Sequence, residues 1–162
     1  MGEPEVPTSE MAATTLAETP AIWSQFSKRV PIKNIISRPD GGASLSGQRI
    51  KVGGWVKTGR EQGKGAFAFL ELNDGSCPGN LQVMVDSSVY TLSEITPTGT
   101  CVFVEGVLKE PPEGTAQKVE LKVEKVLEVG GIGDAKKYPL PKTKITLEVL
   151  REKIHLRPRT NT

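Results

Sequence analysis

The sequence places an aromatic ring and an amide on the outer face of two neighbouring strands. Phe69 lies in residues 67–73 and Gln82 lies in residues 80–85, and both segments alternate between aliphatic and polar or aromatic residues. A phenylalanine on a face that should meet water needs a partner. Ring faces stack on unpaired nucleic-acid bases, and amides hydrogen-bond to base edges. Together the two residues predict a surface that binds a single-stranded base.

Further charged and aromatic residues accompany this pair. The same face is expected to carry Trp55, Lys57, Arg60, Phe67, Glu71 and Glu120. Lys64 lies between two glycines in the loop before the second strand, which predicts a mobile, basic loop. Two alternatives stay open. Trp55 and Phe67 also fit packing residues, and Glu120 also fits a solvated strand face because Lys and Glu alternate around it.

Period-two alternation from Gln48 onward indicates five strands. They cover residues 50–57, 67–73, 80–85, 101–109 and 118–126. A short helix is predicted at residues 87–95, with Ser87 or Ser88 as its N-cap. Three strands, a short helix and two more strands are the order of an OB-fold, an all-β, five-stranded Greek-key barrel. A five-stranded SH3-like barrel is the alternative, although it normally lacks that helix.

Four segments are expected along the chain. Residues 1–27 are rich in Glu, Thr, Ala and Pro, which predicts a disordered arm. Residues 28–47 form a lead-in, residues 48–129 form the barrel, and residues 130–162 form a hinge toward a further domain. Glycines open this last segment, so the C-terminal tail is predicted to be flexible, as the N-terminal arm is from its composition.

The charges are unevenly distributed. Residues 1–27 carry four acidic residues and no Lys or Arg, whereas the remainder carries all 21 basic residues against 15 acidic ones. A basic barrel suits a polyanionic partner. No apolar run is long enough to span a membrane, and the two cysteines and one histidine lack the spacing of a zinc site. These features favour a reduced intracellular protein without a bound metal.

A recognisable pattern joins the candidate residues. It runs from residues 54–56, Gly-Trp-Val, through Arg60 and residues 69–75, Phe-Leu-Glu-Leu-Asn-Asp-Gly, to residues 81–83, Leu-Gln-Val. This pattern resembles the N-terminal anticodon-binding domain of the class IIb aminoacyl-tRNA synthetases, which comprise the aspartyl, asparaginyl and lysyl enzymes. Residues 138–161 resemble the hinge of the asparaginyl members. The long N-terminal arm is similar to that of cytosolic, plant-like versions.

The resemblance implies roles for four residues. Phe69 resembles the phenylalanine that stacks on the middle anticodon base, a uracil. Gln82 resembles the glutamine that hydrogen-bonds to the edge of that base, and Arg60 resembles an arginine that contacts the anticodon. Glu120 resembles the glutamate that reads the first anticodon base, a guanine. Further candidates for nucleic-acid contacts are Lys57, Lys64 and Glu71.

The resemblance also implies a division of labour. The ATP-binding motifs of class II synthetases are absent from the sequence, so no catalytic residue or cofactor is expected here. ATP and Mg²⁺ are expected in a catalytic domain beyond residue 162, which would attach Asn to tRNA(Asn). The expected partner is the tRNA(Asn) anticodon loop, bound by a monomeric segment of a homodimeric cytoplasmic enzyme. The alternatives are an aspartyl enzyme's domain, a non-specific single-strand-binding OB protein and a protein-binding OB module.

Overall fold

The computed structural model describes residues 28–112, 114–115, 117–134, 138–140 and 145–160. The arm predicted for residues 1–27 lies outside these residues. The strands are β1 (Arg49–Gln62), β2 (Phe67–Asn73), β3 (Leu81–Asp86), β4 (Cys101–Lys109) and β5 (Glu120–Gly130). The helices among the described residues are α1 (Ile32–Ile36), α2 (Leu92–Ile95) and α3 (Leu147–Glu152). The same part of the chain has 3₁₀ segments at Ala43–Leu45 and Ile154–Arg159.

The five strands close into a barrel in the order β1-β2-β3-β5-β4. Every pairing is antiparallel except that of β3 with β5. β1 is long, and it pairs with β4 through its first half and with β2 through its second half. Because α2 lies between β3 and β4, this order confirms the predicted OB-fold over the SH3-like barrel.

The alternation of the sequence explains the core. The residues predicted to face inward are buried: Ile50, Val52, Val56, Ala68, Leu70, Leu72, Leu81, Val83, Val85, Val119, Leu121 and Val123. Fully burying a Val, Leu or Ile side chain contributes about 1.5–3 kcal/mol. Val126, which the pattern also placed inward, is only half-buried. It lies where the pairing of β5 with β4 is irregular, and the alternation changes phase there.

Residues 28–47, expected as a lead-in, pack into the same core. Four of their apolar side chains are buried: Val30, Ile32, Ile35 and Leu45. α1 is tied to the turn between β2 and β3. The backbone N–H of Ile32 donates to Asp74 Oδ2 at 2.9 Å, and that of Lys33 donates to Ser76 Oγ at 2.9 Å. This segment therefore folds with the barrel rather than leading up to it.

α2 is shorter than the helix predicted at residues 87–95. Asp86 Oδ1 accepts hydrogen bonds from the backbone N–H of Ser88 at 2.9 Å and from its hydroxyl at 2.7 Å, which holds this stretch in a turn. The helix begins only after Thr91, so the N-cap predicted at Ser87 or Ser88 is wrong. None of the described helices is long and apolar enough to cross a membrane.

The described part of the C-terminal tail differs from the flexible segment that we expected. α3 and a 3₁₀ segment follow each other there, and Leu150 is buried. The ring of Tyr138 lies against Gly99, just before β4. The guanidinium of Arg159 lies 4.5 Å from the ring centroid of Trp55 in β1. These contacts hold parts of the tail on the barrel.

Candidate nucleic-acid interface

A β-bulge in β1 decides which of its side chains face outward. The pairing of β1 with β2 shifts between Val56 and Thr58, so the alternation changes phase there. Trp55 and Arg60 are both exposed, although residues at odd offsets along a regular strand face opposite sides of the sheet. The sequence placed Trp55, Lys57 and Arg60 on one face, which strict alternation cannot do. The bulge brings Arg60 to the outer face.

Two rows of partnered residues cross that outer face. The platform row consists of Arg60, Phe69, Met84 and Lys122, on β1, β2, β3 and β5 in turn. The polar row beside it consists of Thr58, Glu71, Gln82 and Glu120. Adjacent strands lie about 4.8 Å apart, so each row extends about 14 Å along the sheet. We call the two rows together the reading face.

Phe69 and Gln82 lie diagonally across β2 and β3. Met84 is the direct partner of Phe69, and Glu71 is the direct partner of Gln82. Diagonal neighbours on one face of a sheet are separated by about 7–8 Å, within reach of long side chains. Phe69, Met84 and Gln82 are each half-buried, so part of each remains accessible. A base stacked on Phe69 would have its edge close to the Gln82 amide.

Gln82 is held by Glu120. The amide Nε2 of Gln82 donates to Glu120 Oε2 at 3.0 Å, and Glu120 is only 8% exposed. The prediction that Glu120 could be a solvated strand residue is therefore wrong. An ionised carboxylate only accepts hydrogen bonds, so the amide nitrogen must face it and the amide carbonyl oxygen must point away. The pair fixes the orientation of the Gln82 amide.

Phe67 packs beside Phe69 at the edge of the reading face. The two rings make an edge-to-face contact, with centroids 5.5 Å apart and planes at 82°. A Cβ added at Gly63 would meet the Phe67 ring at 2.8 Å, so the loop between β1 and β2 lies directly on this ring. Phe67 therefore has the packing role that the sequence left open. It supports both the Phe69 ring and the loop.

That loop presents Lys64 in a left-handed turn. Gly63, Lys64 and Gly65 have φ angles of 61°, 56° and 85°. Two glycines adopt such angles at little cost, and they carry the lysine between them. Lys64 is exposed, so its ammonium projects beside the reading face without being part of either row.

The remaining predicted residues have other surroundings. Glu71 Oε2 accepts from Asn80 Nδ2 at 3.4 Å, which places it in the polar row with a neighbour on the β2–β3 turn. Lys57 lies in the bulge, where its backbone oxygen accepts from the Thr98 hydroxyl at 3.2 Å. Trp55 lies at the start of the bulge, under Arg159. Its ring is therefore a contact for the C-terminal tail rather than part of the reading face.

Residues 50–129 match the tRNA anticodon family, which is described as an OB-fold nucleic acid binding domain. The barrel belongs to this family. Asparagine–tRNA ligase, cytoplasmic 1, of Arabidopsis thaliana is 58% identical over 159 residues, which cover 96% of this chain and 28% of that protein. Asparagine–tRNA ligase, cytoplasmic 3, of the same plant is 57% identical over 166 residues, covering 99% of this chain and 28% of that protein. The chain thus spans less than a third of these relatives.

A solved structure shows the same arrangement of the OB domain. Asparaginyl-tRNA synthetase from Pyrococcus horikoshii superposes with a TM-score of 0.63 at 26% sequence identity, covering 82% of this chain and 30% of that one. Both rows of the reading face lie within the matched residues 50–129. The predicted nucleic-acid-binding surface therefore lies on the same OB domain that matches the nucleic-acid-binding family.

The sequence missed two members of the OB domain's platform row, Met84 and Lys122. Alternation placed Met84 outward without giving it a role, and Lys122 was one of several lysines alternating with glutamates in the last strand. The deciding contact is the parallel pairing of β3 with β5, which sets Gln82 opposite Glu120 and Met84 opposite Lys122. Alternation gives the face of each strand but not its neighbours, so no local signal identifies this pairing.

Proposed function

We propose that this chain is the anticodon-binding segment of an asparagine–tRNA ligase and that it binds the anticodon loop of tRNA(Asn). The observation that carries the proposal is the Gln82–Glu120 hydrogen bond, one diagonal step from Phe69, on a barrel of the anticodon family. The relatives named asparagine–tRNA ligase support this reading over the aspartyl alternative. They also support it over a non-specific single-strand-binding protein and a protein-binding module.

The fixed amide of Gln82 suits a uracil. In the proposed complex the middle anticodon base stacks on Phe69, and its N3–H donates to the carbonyl oxygen of Gln82. Cytosine presents an acceptor at the same position, so its lone pair would face that oxygen. Leaving a buried acceptor unpaired costs about 1–3 kcal/mol. The amide orientation set by Glu120 would therefore discriminate uracil from cytosine at the middle position.

Glu120 has a second oxygen available for the first anticodon base. Its Oε2 already accepts from Gln82, so a guanine would donate its N1–H and N2–H groups toward Oε1. Arg60, exposed at one end of the platform row, would contact the RNA there. Lys57, Lys64 and Glu71 remain candidates for further contacts around these two bases.

We propose that catalysis takes place in a further domain of a longer protein. The relatives extend well beyond the length of this chain, and there a catalytic domain would use ATP and Mg²⁺ to attach Asn to the tRNA. Among the described residues, no three His, Cys, Asp or Glu side chains are grouped so that they could hold a metal ion. We propose that the segment is monomeric alone, that the longer protein is a homodimer, and that it acts in the cytoplasm.

Titration with RNA tests the proposal. The 162-residue chain is titrated by fluorescence anisotropy with a labelled stem-loop that carries the GUU anticodon and with the same stem carrying a scrambled loop. We expect the GUU loop to bind more tightly. Phe69→Ala should lower the affinity for the GUU loop about 5- to 150-fold, since stacking is worth about 1–3 kcal/mol per base. Gln82→Ala should remove most of the preference for the GUU loop.

Phe103→Ala is the matched aromatic control. Phe103 is also half-buried on a strand, but it faces outward from β4, opposite Gly53. It should leave binding of both RNAs unchanged. Equal binding of the two loops by the unmodified chain, or equal effects of Phe69→Ala and Phe103→Ala, would overturn the anticodon proposal.

A further inference from the structure

Lys122 occupies the end of the platform row opposite Arg60. It lies on β5 next to Met84, two residues after Glu120, so it shares the outer face with Glu120. Its side chain is half-buried, whereas Leu121 and Val123 on either side are buried in the core. The lysine stem therefore lies against the outer surface of the barrel, as long basic side chains do.

Among the described residues, no ion pair takes up the charge of Lys122. The acidic group whose pKa responds to the charge of Lys122 is Asp86, at the end of β3. Hydrogen bonds from Ser88 lower the pKa of Asp86, and the nearby charge of Lys122 lowers it further. The Asp86 carboxylate is itself held toward Ser88. Lys122 therefore lies near enough to the end of β3 for its charge to act on Asp86.

Two cations thus stand at the ends of an apolar strip. Arg60 and Lys122 are separated by Phe69 and Met84, a distance of about 14 Å along the sheet. A single strand that stacks a base on the ring must carry its phosphates past both sides of that strip. We propose that Lys122 binds a backbone phosphate on the far side of the stacked base from Arg60. This inference rests on the proposed function, because it requires a strand lying across Phe69.

A phosphate contact has a distinct signature in the salt dependence of binding. Each phosphate neutralised on a single strand adds about 0.7 to the slope of log affinity against log salt concentration. We expect Lys122→Gln to lower that slope by about 0.7. Lys122→Gln should lower the affinity for the GUU and scrambled loops by the same factor, because phosphates carry no sequence information. Lys122→Arg should keep the slope, because it keeps the charge.

Lys125→Gln is the matched control. Lys125 lies on the same strand and is exposed, but its partner is Glu105 on β4, away from the reading face. Its removal changes the net charge by the same amount and should leave the slope unchanged. Asp86→Asn gives an effect of opposite sign, since it removes a negative charge beside Lys122 and should strengthen binding of both loops.

The outcomes separate the two proposals. A chain that prefers the GUU loop, with equal slopes for Lys122→Gln and Lys125→Gln, overturns the phosphate contact alone. A chain that binds both loops equally overturns the anticodon proposal and this inference with it. Thermal unfolding by circular dichroism verifies that each variant is folded. If Lys122→Gln is unfolded, Asp86→Asn is compared with Glu128→Gln, which removes an exposed carboxylate away from Lys122. A larger gain in binding of both loops by Asp86→Asn supports the contact, and equal gains overturn it.

Discussion

Two faces of one barrel carry basic residues, and their charges are arranged differently. On the face that we call the paired face, Arg49 lies 2.6 Å from Glu124, and Arg49 and Lys51 each lie 3.6 Å from Glu105. On the reading face, Arg60 and Lys122 take part in none of the ion pairs between described residues.

The difference concerns binding more than stability. An exposed ion pair stabilises a protein by only about 0–1 kcal/mol. Pairing nevertheless lowers the positive potential that a polyanion meets, whereas an unpaired cation keeps it. The availability of the cations, rather than their number, distinguishes the surface proposed to bind RNA.

The largest effect is expected from Glu120→Gln on the reading face. A carboxylate at position 120 only accepts, which fixes the Gln82 amide, whereas a glutamine there can accept or donate. Gln82 could then turn over and donate to cytosine. We expect the preference for a GUU over a GCU loop, worth about 1–3 kcal/mol in the unmodified chain, to be mostly lost. Anisotropy titrations of both loops measure it.

Glu71→Gln is the control for that change. Glu71 is the direct strand partner of Gln82, but its carboxylate accepts from Asn80 and not from the Gln82 amide. Glu71→Gln removes the same charge from the same row. Any contact of Glu71 with the RNA is common to both loops, so its loss should leave the preference between them intact. A full preference in Glu120→Gln would show that something other than Glu120 orients the amide.

The next largest effect converts the paired face into an RNA-binding surface. The double variant Glu105→Gln/Glu124→Gln leaves Arg49 and Lys51 without their carboxylate partners. We expect tighter binding of GUU and scrambled loops alike, with a salt slope steeper by up to about 1.4 for two added phosphate contacts. The control Glu110→Gln/Glu128→Gln removes two exposed carboxylates that lie outside these ion pairs. An equal gain in both variants would mean that only net charge matters.

Local patterns predicted much of this arrangement. Alternation placed Leu70 and Leu72 in the core and Phe69 on the outer surface, because a strand turns successive side chains to opposite faces. The pattern could not reveal the bulge after Val56, because the buried residue beyond it is Gly59, which has no side chain to show the change of phase. The neighbours of Glu120 were equally hidden, because the pairing of β3 with β5 joins residues 38 positions apart.

Two further segments differ from what the local pattern predicted, one before the barrel and one between β3 and β4. Residues 28–47 contain no long periodic run, so their burial against the barrel could not be read from them alone. The helix predicted at residues 87–95 had suitable apolar spacing, but the bonds from Ser88 to Asp86 compete with its first turn. Such bonds depend on side-chain geometry that spacing does not encode.

A third prediction separates stability from recognition. Asp74 lies on neither face and accepts the backbone N–H of Ile32 at the start of α1. Asp74→Ala should lower the free energy of unfolding by about 1 kcal/mol, the usual cost of a lost helix cap. Asp74→Asn keeps an acceptor oxygen and should lose less. Urea unfolding measures both, and the preference of the folded variants for the GUU loop should not change.

The smallest effect is expected where the tail meets the barrel. Trp55 is 39% exposed, and Arg159 lies over its ring. A cation–π contact at such an exposed site contributes about 0.5–1 kcal/mol. In a Trp23→Phe background, where Trp55 is the remaining tryptophan, Arg159→Ala should shift the emission of Trp55 to longer wavelength as its ring becomes more hydrated. Arg157→Ala, exposed in the same 3₁₀ segment, should not shift it.

The same variant tests the boundary of the reading face. Trp55 and Phe69 are both aromatic residues on the outside of the barrel, but one ring contacts the tail and the other is proposed to contact RNA. Binding of the GUU loop should therefore be equal in Arg159→Ala and the unmodified chain. If uncovering Trp55 instead changes the affinity for the GUU loop, the Trp55 ring contacts the RNA. The reading face then extends along β1 beyond the bulge to Trp55.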